Sequence, residues 1–249
     1  NFTTATDAYN TGVGYNAGVA VTTGINNTIV GALAADALTT GCQNTAIGYQ
    51  ALSGALASFY NTAVGYQALL TDTTGRESVA VGRNALRTQN NTTSDSMNNT
   101  AVGSNAGYAV TTSKFNTLIG SNAGDALTTS VGYNAALGYL ALSADTLGQE
   151  SVAIGSQALA TQNFTTATAT YNTAVGTSAG RLLTTGINNT YVGGLAGSGA
   201  TTGNSNVFVG KYAGGGATMS GSNNVALGFQ AMKSLTSGAN NICIGYEAG

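Results

Sequence analysis

The sequence contains no proline, no histidine and no tryptophan, and its charge is confined to 7 Lys plus Arg and 9 Asp plus Glu among 249 residues. Charged side chains make up 6%, where an ordinary soluble domain carries about 25%. Each absence excludes a class. Without proline there is no collagen-type triple helix, and an apolar content of 43% is too high for a disordered linker. Without histidine, and with only Cys42 and Cys243 far apart in the chain, no Ser-His or Cys-His pair can activate a nucleophile, so no enzyme is expected. The acids Asp7, Asp36, Asp72, Glu77, Asp95, Asp125, Asp145, Glu150 and Glu247 are scattered singly. Zinc needs clustered Cys and His, and calcium needs several close carboxylates, so neither a metal nor another cofactor is expected. A net charge of −2 with no basic cluster leaves no electrostatic footprint for nucleic acid. Gly, Asn and Thr interrupt every apolar stretch well short of the roughly 18 residues that span a bilayer. No membrane span is expected.

What is present is a repeat. Glycine accounts for 36 residues, and fourteen of them close one recurring phrase, Asn/Ser-Thr/Val-small-Val/Ile/Leu-Gly-x-x-Ala. These run from Gly14, Gly31, Gly48 and Gly65 to Gly228 and Gly245, mostly 17 residues apart, twice 18 and twice 21. Helical repeats need some 33 residues or more, so a 17-residue unit fits one coil of a parallel β-solenoid. Fourteen coils at an interstrand spacing of about 4.8 Å would make a shaft of roughly 67 Å. The whole chain, 1–249, reads as one continuous shaft. It opens on Asn1 rather than Met and ends at Gly249 inside a phrase, as expected of a segment of a longer fibre.

Within the phrase, residues alternate with period two. The residues one and three places after the Asn, such as Thr45 and Ile47 or Thr62 and Val64, are expected to point into the coil. The residue between them, Ala46, Ala63, Ala80, Leu118, Tyr191, Phe208 or Cys243, is then expected to point outward, and as an uncharged row it implies a covering partner. A homotrimer built on that row is one expected partner arrangement. Open coil edges would also allow stacking end to end into a filament. The opening Asn reads as a structural ladder, with short polar side chains bonding the turning backbone coil after coil. Alanine seven places on, from Ala17 through Ala51 to Ala248, marks a spot where only a methyl fits. Cys42 and Cys243, about eleven coils apart, are separated by on the order of 50 Å and cannot form an intrachain disulfide. Cys243 reads as a small buried hydrophobe.

Two longer loops, Arg87 to Asn98 and Ala160 to Tyr171, each follow a unit beginning Glu-Ser-Val-Ala, at Glu77 and Glu150, 73 residues apart. Four coils therefore form a super-repeat with loops expected to project from it. Thr92 and Thr93 in the first loop are candidate contacts for a host receptor or glycan. So is the aromatic row Tyr15, Tyr49, Tyr66, Tyr139 and Tyr246, which Phe229 joins, although stacking between coils is the commoner use of such a ladder. An ice-binding face is set aside, because the regular threonines are expected to point inward.

The phrases S-V-A-V-G-R-N-A-L (Ser78 to Leu86) and S-V-A-I-G-S-Q-A-L (Ser151 to Leu159) resemble the head repeats of trimeric bacterial autotransporter adhesins. N-T-A-I-G-Y-Q-A-L (Asn44 to Leu52) and N-T-A-V-G-Y-Q-A-L (Asn61 to Leu69) are similar to repeats of phage tail-fibre proteins, including those ending in an endosialidase-type intramolecular chaperone. The resemblance implies an all-β, left-handed parallel β-roll in which three chains pack about a threefold axis. It also implies a structural, non-catalytic role as the shaft of an extracellular fibre, on a cell-surface appendage or a virion tail.

Overall fold

The computed structural model describes residues 7–129 and 132–249. Every regular element among them is a β-strand, and no helix is long and apolar enough to cross a membrane. The chain forms two compact units, Asn1–Ser121 and Asn122–Gly249.

In the first unit, strands Thr11–Val13, Thr28–Val30, Thr45–Ile47, Thr62–Val64, Val79–Val81, Thr100–Val102 and Thr117–Ile119 each pair in parallel with the next. In the second, Ala135–Leu137, Val152–Ile154, Thr173–Val175, Thr190–Val192, Val207–Val209, Val225–Leu227 and Ile242–Ile244 do the same. Both units are parallel β-solenoids, each coil giving one strand to the main sheet. The register joins like to like: Ala46 faces Ala63, which faces Ala80, and Tyr191 faces Phe208. β-branched residues at the first and third strand positions favour the extended backbone. The glycine that follows ends it.

That glycine is required by contact as well as conformation. Gly65 has φ +138°, and a Cβ built on it would lie 2.7 Å from the carbonyl carbon of Gly82 in the next coil. The coils approach so closely here that no side chain fits between them. Other corners are turned by non-glycine residues in the left-handed region, among them Tyr60 (φ 59°), Gln67 (φ 53°) and Leu69 (φ 53°) in a single coil. Such residues cost of order 1–3 kcal/mol each, and persist only where surrounding packing over-determines them.

The direction of the strand side chains reverses the sequence expectation. Ala46, Ala63, Ala80, Ala101, Leu118, Ala136, Ala153, Ala174, Tyr191, Phe208 and Ala226 are buried inside the coil. The flanking Thr45 and Ile47, Thr62 and Val64, and Val79 and Val81 face outward, half-buried or exposed. Two causes act together. In the alanine coils the filled layer leaves room behind the strand for a methyl, in others for Leu118, Tyr191 or Phe208, and in all of them a threonine hydroxyl turned inward would lose water without gaining a partner.

The interior is filled by complementary volumes. In five coils an inward alanine, Ala46, Ala63, Ala80, Ala136 or Ala153, is completed by a leucine six places later, Leu52, Leu69, Leu86, Leu142 or Leu159, all buried; after Ala101 and Ala174 that place is Gly107 or Gly180, and side chains of the adjacent coils, Leu86 and Leu118 or Leu159 and Tyr191, reach it instead. Where the inward residue is Tyr191 or Phe208, that leucine is replaced by Gly197 or Gly214, whose added Cβ would meet the aromatic ring. The rings of Tyr191 and Phe208 stack at 5.3 Å between centroids. Ala51, Ala68, Ala85, Ala106, Ala123, Ala141, Ala158, Ala179, Ala196, Ala213 and Ala231 are fully buried, as the recurring alanine of the phrase requires.

Candidate functional surfaces

The outward strand face is the most regular surface of each unit. Its first column in the first unit is Thr11, Thr28, Thr45, Thr62, Val79, Thr100 and Thr117, and its second is Val13, Val30, Ile47, Val64, Val81, Val102 and Ile119. In the second unit the columns carry Ala135, Val152, Thr173, Thr190, Val207, Val225 and Ile242 beside Leu137, Ile154, Val175, Val192, Val209, Leu227 and Ile244. No position is charged and none is buried. The uncharged outer row expected from the sequence exists, but its members are the β-branched residues rather than the alanines between them. The threonines lie outside, so the ground for setting aside a water-ordering face falls.

Beneath this face runs the asparagine ladder. Asn27, Asn44 and Asn61 are each about 1% exposed. Asn44 donates through its backbone N–H and Nδ2 to Asn27 Oδ1, at 3.0 and 3.1 Å, and through Nδ2 to the Ser58 carbonyl at 2.8 Å. In the second unit Asn172, Asn189, Asn206, Asn224 and Asn241 repeat the chain of bonds at 2.9–3.3 Å. Between coils these amides are spent within the stack, while Asn241, at the last coil, is part-exposed.

The tyrosine row lies on the surface just past the strand glycine. Tyr15, Tyr49, Tyr66, Tyr139 and Tyr246 are all exposed. Tyr49 and Tyr66 stack at 5.5 Å with 16° between their planes, and Phe229 stacks on Tyr246 at 5.5 Å. A stacked ring has given one face to its neighbour. A sugar needs a free face, so in these pairs the outer face of each ring is the one left for a ligand. A further exposed aromatic set precedes the ladder asparagines, at Tyr9, Tyr60, Phe115, Tyr133 and Tyr171. Its signal, an aromatic immediately before the phrase, was readable in the sequence.

The first long loop is held together and against the adjacent coils. Thr93 N–H donates to Asn91 Oδ1 at 3.0 Å, and the Thr93 hydroxyl lies 2.8 Å from Asn91 Oδ1 and 2.9 Å from Asp95 Oδ2. Lys114 pairs with Asp95 at 2.9 Å, and that bond holds the exposed Asp95 carboxyl below its usual range. Arg76 donates to Ser94 Oγ at 2.7 Å and lays its guanidinium over the Phe59 ring at 4.8 Å. Thr92 remains exposed. The second loop adds a short parallel pair, Gly148–Gln149 with Thr168–Ala169, and buries Phe164. Loop polar groups are largely spent within the loop and on the coils on either side.

A cleft of about 270 Å³ at the last coil is lined by Met232, Leu235, Asn241, Cys243 and Gly249. Cys243 lies on the inward row there but stays partly exposed, so it is less buried than expected; it and Cys42 are free thiols. Among the described residues no three His, Cys, Asp or Glu side chains come together to hold a metal. In comparisons with known proteins, no family model and no curated sequence matches the chain.

Proposed function

We propose that this chain is a structural, non-catalytic shaft of an extracellular fibre, of the kind found on cell surfaces and virion tails, and that it works as a homotrimer. The observation that carries this is the outward strand face: two columns mostly of Thr, Val and Ile, with Ala135, Leu137 and Leu227, uncharged at every coil and running the length of each unit. A strand apolar on both faces is ordinarily covered on both. Identical copies of a repeating surface satisfy one another repeat by repeat, and closed symmetry is the usual outcome. The aliphatic columns supply buried area while the threonines supply hydroxyls that can bond across the seam. What the coils contribute is mechanical: each is held by its neighbours, so load passes from coil to coil within a unit.

The test is solution mass by light scattering after size exclusion. A trimer gives about 74 kDa, three times the chain mass of 24.6 kDa. A monodisperse species of 24.6 kDa would overturn the trimer and point to a single-chain solenoid with a flat, accessible binding face.

A further inference from the structure

The asparagine ladder is broken twice, at Ser78 and Ser151, and each break is followed by a long loop. Serine has no amide carbonyl to accept from the next coil. At both breaks the loop supplies one. Gln89 Oε1 accepts from Asn99 Nδ2 at 2.9 Å, and Gln162 Oε1 accepts from Asn172 Nδ2 at 2.9 Å. The glutamine NH2 then has to find acceptors, and the same two appear each time. Gln89 Nε2 donates to Asp72 Oδ2 at 2.6 Å and to Ser78 Oγ at 3.1 Å; Gln162 Nε2 donates to Asp145 Oδ2 at 2.6 Å and to Ser151 Oγ at 2.8 Å. The other carboxylate oxygen ties down the backbone. Asp72 Oδ1 accepts from Gly75 N–H and from Asn91 N–H of the loop, both at 3.0 Å. Asp145 Oδ1 accepts from Gly148 N–H at 2.9 Å and from Phe164 N–H of the loop at 3.2 Å.

All four side chains are fully buried, at a place in the coil where other coils carry Leu38, Ala55, Val110, Leu127 or Leu183. A buried polar pair in a hydrophobic row is retained against a desolvation cost. Its identical recurrence in both units needs a reason that packing does not supply.

We propose that Asp72–Gln89 and Asp145–Gln162 are latches: each carries the ladder across its serine coil and fastens the long loop shut, with the carboxylate setting which way the amide points. A carboxylate cannot donate, so the glutamine must turn its NH2 towards it and its carbonyl towards the next coil. An asparagine at the same place can turn NH2 against NH2, or its carbonyl away from the Gly75 and loop N–H groups. Either choice orphans a buried group. The glutamine carbonyl so presented matches the ladder beyond, where Asn99 Nδ2 also donates to the Ser113 carbonyl and Asn99 Oδ1 accepts the Asn116 N–H.

The prediction is tested on the full chain by backbone hydrogen exchange of residues 87–98, with tryptic cleavage at Arg87 as a second readout. Asp72→Asn and Gln89→Glu are each expected to speed exchange in the loop by about tenfold or more, the equivalent of one lost buried hydrogen bond. In the Asp72→Asn/Gln89→Glu double variant, the Nδ2 of the introduced asparagine would donate to the new carboxylate. That carboxylate would still accept from Asn99, so protection is expected to return close to the parent. Unchanged exchange in both single variants, or a double variant at least as open as the worse single one, would overturn the latch. Should Asp72→Asn fail to fold, the swapped double variant still decides: folding with a protected loop supports the proposal, and failure to fold refutes it.

Discussion

A buried asparagine has a side-chain amide and a backbone N–H to pair, and Asn61 shows how a coil stack does so. Its Nδ2 donates to the Gly75 carbonyl at 2.8 Å, its N–H to Asn44 Oδ1 at 3.0 Å, and its Oδ1 accepts the Ser78 N–H at 2.9 Å. Asn61→Ala leaves the Gly75 carbonyl and the Ser78 N–H buried and unpaired, at about 1–3 kcal/mol each. A clear fall in denaturant midpoint with an unchanged slope is expected, and a midpoint equal to the parent's would contradict the structural role. The buried aspartates make a second test at this scale. Burial pushes the Asp72 and Asp145 carboxyls above the usual carboxylate range, against the backbone and glutamine donors that pull them down. A carboxyl raised in the folded state contributes stability that is present below its unfolded value and lost as pH rises through its folded value. Protonation leaves Oδ2 able to accept from the glutamine, so it need not undo the latch. Thermal melting followed from neutral pH down to about 4, the ordinary carboxylate range, is expected to hold or rise. A fall confined to that window, and removed by the Asp72→Asn/Asp145→Asn pair, would show that the donors outweigh burial.

At the scale of the coil, stability lies in contacts with the coils on either side. Backbone bonds such as Gly65 N–H to the Ile47 carbonyl at 2.7 Å join successive strands, and the strand glycines stack without room for a side chain. Gly65→Val puts a branched side chain into a left-handed backbone and against the Gly82 carbonyl. Conformational strain and overpacking together are expected to cost about 3 kcal/mol or more. Because each coil touches only its neighbours, the damage belongs to the adjoining coils. Hydrogen exchange is expected to rise around residues 48–82 and to change little near Thr11–Val13; an unchanged melting temperature would refute the contact. The same dependence on neighbours explains the alternation of Ala with Leu and of Tyr191 or Phe208 with Gly197 or Gly214. Volume is shared between adjacent coils, as where Leu86 and Leu118 reach over Gly107.

For the molecule as a whole, the deciding surface is the outward strand face. Val64→Lys places an ammonium among uncharged columns without touching the core, since Val64 lies outside the coil. In a trimer seam that charge loses water without a partner, so the expected outcome is a fall in mass from about 74 kDa towards 24.6 kDa with the coils still folded. A trimeric Val64→Lys variant would move the seam elsewhere on the surface.

Much of this architecture was legible in the order of residues. The 17-residue spacing of glycines established a parallel solenoid, because no helical repeat is that short. The asparagine ladder and the all-alanine place followed from recurrence at one position of the phrase. Recurrence also marked the super-repeat, from Glu77 to Glu150. It could not tell which face of a three-residue strand is inside. Val-Ala-Val and Thr-Ala-Val are uncharged on both faces, and period two alone has two phases. Only the packed coil decided that Ala63 goes in and Thr62 and Val64 go out, since the cavity behind the strand takes a methyl and offers a hydroxyl no partner. The same holds for Asp72 and Gln89. They are 17 residues apart and look like scattered polar residues until the turn of the coil stacks one on the other.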